Sequence, residues 1–273
     1  MKIWAIIVDT FRESLARKIF IVFFAISTLN LLFFAFILNI DVVDGALAMV
    51  SVLGKQAPNK IKIAEIIIGA ESAIAMALFT GGIFLSLFAT ANFVPRMLEK
   101  GTIDLLISKP LSRPRILLAK YLGSLAIVVL NIVYAIVGVW LVLSLKTGFW
   151  NVGFLYAAGT IILTFAILYC LIMFLGITTG SGSVAVMGTY LVMFLSPLLV
   201  QRENLTRLLS NRLYKGLIHG LYHGLPKVAE LGKITGKLVA GKDVTHWMPL
   251  WSSVAFGAVL LAASVILFSR KDF

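Results

Sequence analysis

The chain has 273 residues, of which 60% are hydrophobic and 13% charged, with a formal net charge of +12. That charged fraction is about half the ~25% of ordinary soluble domains, which excludes a soluble globular fold. Its 24 Lys and Arg residues lie in connections and chain ends, a distribution that suits lipid headgroups and topology rather than nucleic acid.

Residues 2–17 read as an N-terminal interfacial helix. Trp4, Ile7, Val8, Phe11 and Leu15 recur at helical spacing, while Asp9, Arg12 and Glu13 gather on another face. Six apolar runs of spanning length follow, at about 18–39, 67–93, 116–145, 153–178, 183–200 and 247–269. The expected fold class is therefore an all-α integral membrane protein with six transmembrane helices, forming one domain over 1–273. No removable signal peptide is expected, because the first run is too long for a signal core.

The second span is unusual in that its helical pattern runs from Ile63 to Leu98. At 1.5 Å per residue this is about 50 Å, more than the ~30 Å hydrocarbon core. Gly81 and Gly82 near its middle permit a bend or close packing. Between the second and third spans, residues 93–123 carry Arg96, Lys100, Lys109, Arg113, Arg115 and Lys120 against Glu99 and Asp104. So basic a connection is expected on the cytoplasmic side. Pro110 and Pro114 are expected to interrupt helix on either side of Ser112 and Arg113.

The segment 201–246 carries Gly216, Gly220 and Gly224 with Leu217, Leu221 and Leu225. It is expected to form one or two short amphipathic helices on the outer membrane surface, broken at Pro226. With the N-terminus inside, basic residues divide twelve to twelve between the two sides. Without the long 201–246 loop the balance favours both termini inside, and long loops obey the rule less strictly. The rival topology makes 183–200 re-entrant and puts the loop inside.

Few residues suggest chemistry. His219 and His223 have the i,i+4 spacing of helical metal ligands, but the nearest acid is Glu230, so no metal site is expected. Gly180–Ser–Gly182 follows a membrane helix rather than a strand and is no dinucleotide fingerprint. No G-x-x-x-x-G-K-[ST] occurs, so ATP is not expected to bind through a P-loop of this chain. The lone Cys170 lies in an apolar run and reads as a packing residue. Glu71, one or two turns from the outer end of the second span, is the one charge within a span, and Asn30 and Asn131 are the notable polar residues there. These three are candidates for lining a translocation path, with interhelical hydrogen bonding the simpler role for the asparagines.

The 93–123 segment resembles the first cytoplasmic loop of ABC-2-type transporter permeases. The matching residues are Glu99, Gly101, Thr102, Leu105, Leu106, Ser108, Pro110, Ser112, Arg113, Ile116, Leu117, Lys120 and Gly123. The opening Asp9–Glu13 with Arg17 and Lys18, and the closing Arg270–Phe273, are similar to the same family. The resemblance implies that 94–115 forms a cytoplasmic coupling helix seated in a groove of a separate ABC ATPase subunit. The expected interface is then Arg12, Glu13, Arg96, Glu99, Lys100, Gly101, Thr102, Asp104, Leu105, Leu106, Ser108, Pro110, Arg113 and Arg115. Met97 departs from the pattern, since many relatives carry a second acid there.

The resemblance also implies a second permease copy or sister permease, with ATP and magnesium held by the ATPase and no cofactor in this chain. The expected location is the plasma membrane of a prokaryote, multi-pass, with both termini cytoplasmic and 201–246 outside. Export, or extraction of an apolar substrate from the bilayer, is the expected direction. The alternatives are a non-transporting scaffold docking another soluble partner and, third, an ion-coupled carrier using Glu71.

Overall fold

The computed structural model describes residues 8, 10–12, 18–43, 47–52, 55–56, 61–99, 101, 112–204 and 212–271. The first apolar run is the helix Lys18–Leu32, which passes into a π-helical turn at Phe33–Ile37 (together α1). The second is α2, Ile63–Met97. It is interrupted by a π-helical turn at Leu78–Gly82, where the sequence places its two adjacent glycines. There follow α3 (Arg113–Thr147), α4 (Val152–Thr179), α5 (Gly182–Val200), α6 (Arg212–Gly224), α7 (Val228–Val239) and α8 (Met248–Arg270). Among the described residues, α2–α5 and α8 are long and apolar enough to cross a membrane, and α1 adds the shorter apolar stretch Ile21–Phe36.

The membrane-crossing part is all-α as expected, but the described residues between α1 and α2 are strands. Leu38–Val43 (β1) pairs antiparallel with Leu47–Val52 (β2), and Lys55–Gln56 (β3) and Ile61–Lys62 (β4) both pair with β2. Val42, Val43, Val50 and Val52 supply the β-branched residues that favour this conformation.

Pro114 corrects a second expectation. It sits in the first turn of α3, after Ser112 in extended conformation at the N-cap. There its missing N–H costs nothing, so the proline starts the helix instead of interrupting it. Positive-φ Gly148 and Gly180 close α3 and α4 with backbone bonds to Ser144 and Gly176.

α4 is the axis of the bundle and its most buried span. Phe154, Ile161, Phe165 and Tyr169 are fully buried along it. The Tyr169 hydroxyl donates to Ser124 Oγ of α3 at 2.9 Å, and its ring stacks with Phe165 and Tyr121. α8 crosses α4 where Gly257 faces Ile167.

α7 departs most from the sequence reading. Of the two described helices in 201–246, α6 presents exposed apolar residues, Leu213, Tyr214, Leu217 and Leu221. α7 instead buries Leu231, Ile234, Thr235 and Val239 against α2, α4 and α5. Thr235 Oγ1 and Thr160 Oγ1 share a hydrogen bond of 2.8 Å, and the Ala229 N–H donates to Ser196 Oγ at 2.9 Å. Its amphipathic stripe faces the bundle, not lipid. A Cβ on Gly153 would lie 2.5 Å from the Leu238 carbonyl oxygen and 3.3 Å from that of Val239. Gly153→Val is therefore expected to displace α7 and cost at least about 1–3 kcal/mol. Thermal unfolding in detergent measures this; an unchanged Tm would contradict the close approach.

Candidate coupling surface and membrane path

One end of the bundle gathers the termini of five long helices. α2 runs out at Met97, and Gly101 beyond it has φ +89. Gly176 near the end of α4 lies against Pro95, and Gly182 at the start of α5 lies against Asn92. Arg113, the first residue of α3, donates through Nη1 to the carbonyl oxygens of Lys271 at 2.6 Å and Ser269 at 3.3 Å. Lys271 Nζ donates in turn to the Ile177 carbonyl at 2.9 Å. The first turn of α3, the end of α4 and the end of α8 are thus pinned together by charge-assisted bonds. The helical residues 10–12 belong to this neighbourhood, since Thr10 is fully buried and packs on Gly123.

Of the residues expected at the interface, Arg12, Arg96, Glu99, Gly101 and Arg115 are exposed and Arg113 is half-buried. Glu13, Lys100, Thr102, Asp104, Leu105, Leu106, Ser108 and Pro110 lie outside the described residues. Arg96, Glu99, Arg113 and Arg115 therefore share one end of the bundle, with the ends of α4 and α8. The Ser269, Lys271 and Ile177 carbonyls that complete the clasp carried no signal in the sequence, being backbone atoms distant along the chain.

The opposite end is held by Asn151. As N-cap of α4 it accepts from the Gly153 N–H at 3.1 Å. Its Nδ2 donates to Glu71 Oε2 of α2 at 2.6 Å and to the Val239 carbonyl of α7 at 2.9 Å. Its own carbonyl accepts from Trp140 Nε1 of α3 at 2.9 Å. Glu71 is fully buried, and its Oε1 has no partner among the described residues. The acid thus sits in a four-helix knot, α2 with α3, α4 and α7.

Asn131 of α3 is also buried, and its Oδ1 accepts from Ser27 Oγ of α1 at 3.0 Å. Asn30 is separate from both and lines a cavity of about 470 Å³ between α1, α2 and α3. The three polar span residues do not converge on one channel within a single copy.

Beside the Asn151 end, Arg202 stacks 3.6 Å over the Tyr222 ring, and the Tyr222 hydroxyl donates to Glu230 Oε1 at 2.8 Å. Burial first, then Glu230, pushes the Tyr222 hydroxyl above its ordinary pKa, against the opposing pull of Arg202. The Lys227 N–H donates to Ser253 Oγ and its Nζ to Ser252 Oγ, each at 3.0 Å, fastening the α6–α7 corner to α8. The described residues of 201–246 therefore meet the end opposite to the described residues of 93–123, and α5 traverses the bundle between them. His219 and His223 interact within their own helix, His223 Nδ1 lying 2.8 Å from the His219 carbonyl. Among the described residues no cluster of three or more His, Cys, Asp or Glu could hold a metal.

This architecture defines a multi-pass membrane protein with an asymmetric bundle, a charged end on exposed helix termini and a capped end closed by α7. A family model described as ABC-2 family transporter protein matches residues 4–273. The chain belongs to that family and is a membrane transport protein of the ABC-2 type. No curated protein matches it.

Proposed function

We propose that the chain is the permease subunit of an ATP-driven exporter, moved by a separately encoded ABC ATPase that docks on the 93–123 end. In this reading the chain carries no ATP site of its own, and ATP and magnesium are held by the ATPase. A second copy, or a sister permease, completes the path. The charged end faces the cytoplasm of a prokaryotic cell together with both termini, and α6 and α7 face outward.

The observation that carries the reading is the clasp. Arg96, Glu99 and Arg115 are exposed beside a junction in which Arg113 and Lys271 tie α3, α4 and α8. Packed helices transmit displacement because interiors are dense and resist compression. A push on the exposed residues would reach three spans at once. At the far end the Asn151 knot couples α2, α3 and α4 to α7, so the same motion would shift the helix that caps the bundle.

The test is affinity purification of the chain from its native membranes in mild detergent, followed by an ATP hydrolysis assay. A co-purifying subunit with vanadate-sensitive hydrolysis is expected. An intact chain that brings down no ATP-hydrolysing subunit would instead favour the scaffold reading. Transport that depends strictly on an external binding protein would overturn the assigned direction.

A further inference from the structure

The cavity between α1, α2 and α3 is a slot, not a sphere. Its lining runs along α2 from Ala70 to Leu85, fifteen residues or ~22 Å. A volume of about 470 Å³ over that length is roughly one hydrocarbon chain wide, given carbon–carbon contacts of ~4 Å. Along this face α2 offers Ala70, Ala73, Ala77 and Gly81, a small-residue pattern that ordinarily lets another helix approach closely. Here α1 stands off across the slot, with Phe23, Phe33 and Phe34 on its own wall. Both π-helical turns, Phe33–Ile37 and Leu78–Gly82, contribute residues to the lining.

Two amides at this depth have no hydrogen-bond partner among the described residues, the exposed Asn30 and the buried Asn131 Nδ2. Asn30 lines the slot, and none of the hydrogen bonds among the described residues involves its side chain. Asn131 Nδ2 is buried with no partner among the described residues, directly behind Ser27, another lining residue. In hydrocarbon no bulk water is available to satisfy such groups, so an unpaired amide is costly.

We infer that the slot binds one long hydrocarbon chain bearing a hydrogen-bonding oxygen, a hydroxyl or carbonyl, with that oxygen at Asn30. The volume lies within the range of ligand pockets, ~300–1,000 Å³, and a mostly apolar wall with a few polar groups is their usual chemistry. The occupant is either the tail of a resident lipid or a free amphiphile presented as cargo. Occupancy requires no ATPase, so its failure and the failure of the permease reading are separable.

The test is photolabelling of the full chain in phosphatidylcholine vesicles. One set carries a long-chain alcohol with a diazirine in its tail, and the other carries the same diazirine on a phospholipid acyl chain. Label on the α1 and α2 peptides that line the slot is expected. Label from the phospholipid assigns a resident tail, and label from the alcohol alone assigns a free amphiphile.

A Cβ at Gly81 meets nothing within 4 Å, so Gly81→Leu is expected to project its side chain into the slot that Gly81 lines. It should cut the labelling at least about fivefold, as should Ala77→Leu. Gly69→Leu is the control, also facing open space but off the slot, and should leave labelling unchanged. Asn30→Leu should weaken labelling by the alcohol. Equal labelling of wild type and both filled variants would overturn the proposal. So would absent labelling with Gly81→Cys chains oxidising into linked dimers, which would assign the slot to a second copy.

Discussion

Asn151→Ala is expected to destabilise the folded chain by about 3 kcal/mol or more. The substitution removes an N-cap, worth ~1 kcal/mol. It also strips the donor from Glu71 Oε2 and from the Val239 carbonyl. Glu71 already has one oxygen without a partner among the described residues, so losing the other bond leaves a buried carboxyl group stranded. Glu71→Gln should cost little by comparison, because its amide oxygen can still accept from Asn151. The double variant Asn151→Ala with Glu71→Leu should recover part of the loss, since the stranded group is then gone. Thermal or denaturant unfolding in detergent reads all three. Additive losses in the double variant would show that Glu71 and Asn151 are not coupled. The same series bears on the carrier alternative, which needs Glu71 to act in transport and not in this knot.

At the other end, Arg113→Ala is expected to cost about 2 kcal/mol, the usual worth of a hydrogen bond from a charged group. It should also raise the proteolytic sensitivity of the C-terminus, because the Ser269 and Lys271 carbonyls lose their donor. Glu99→Lys is exposed and should stay within ±0.5 kcal/mol of wild type. The contrast is informative because both residues belong to the expected interface. A variant of Arg113 changes the clasp as well as the surface, whereas a variant of Glu99 changes the surface alone. An Arg113→Ala chain as stable as wild type would remove the clasp from the coupling scheme.

The apolar runs were legible because the bilayer imposes a length that no soluble helix needs to meet. Five of the apolar runs coincide with the long apolar helices α2–α5 and α8, the first run forms the shorter apolar helix α1, and the extended α2 was visible from Ile63 onward. Periodicity could not say what a stripe faces. α7 shows an amphipathic pattern with Glu230, Lys233 and Lys237 on one side, which suits a lipid surface and a protein bundle equally well. Only packing distinguishes them, and α7 chose the bundle.

Pro114 misled for a related reason. A proline reads as a break unless the N-cap is recognised one or two residues before it, and Ser112 supplied that signal. Asn151 was missed altogether, because its partners Glu71 and Val239 lie 80 and 88 residues away in sequence. Its one local signal was its position as a capping residue just before an apolar run. The β-strands between α1 and α2 also escaped notice, since a short connection gives little periodicity to read.

Docking at the 93–123 end is tested by reversing charge at one end of the bundle and comparing it with the other. Glu99→Lys with Arg115→Glu alters two exposed residues of the 93–123 end, while Lys237→Glu alters α7 at the opposite end. Each chain is purified from native membranes, checked for wild-type thermal stability, and assayed for bound ATP-hydrolysing subunit. The first variant is expected to lose the subunit and Lys237→Glu to retain it. Full retention in the first variant, or equal loss in both, would contradict a docking site at the 93–123 end.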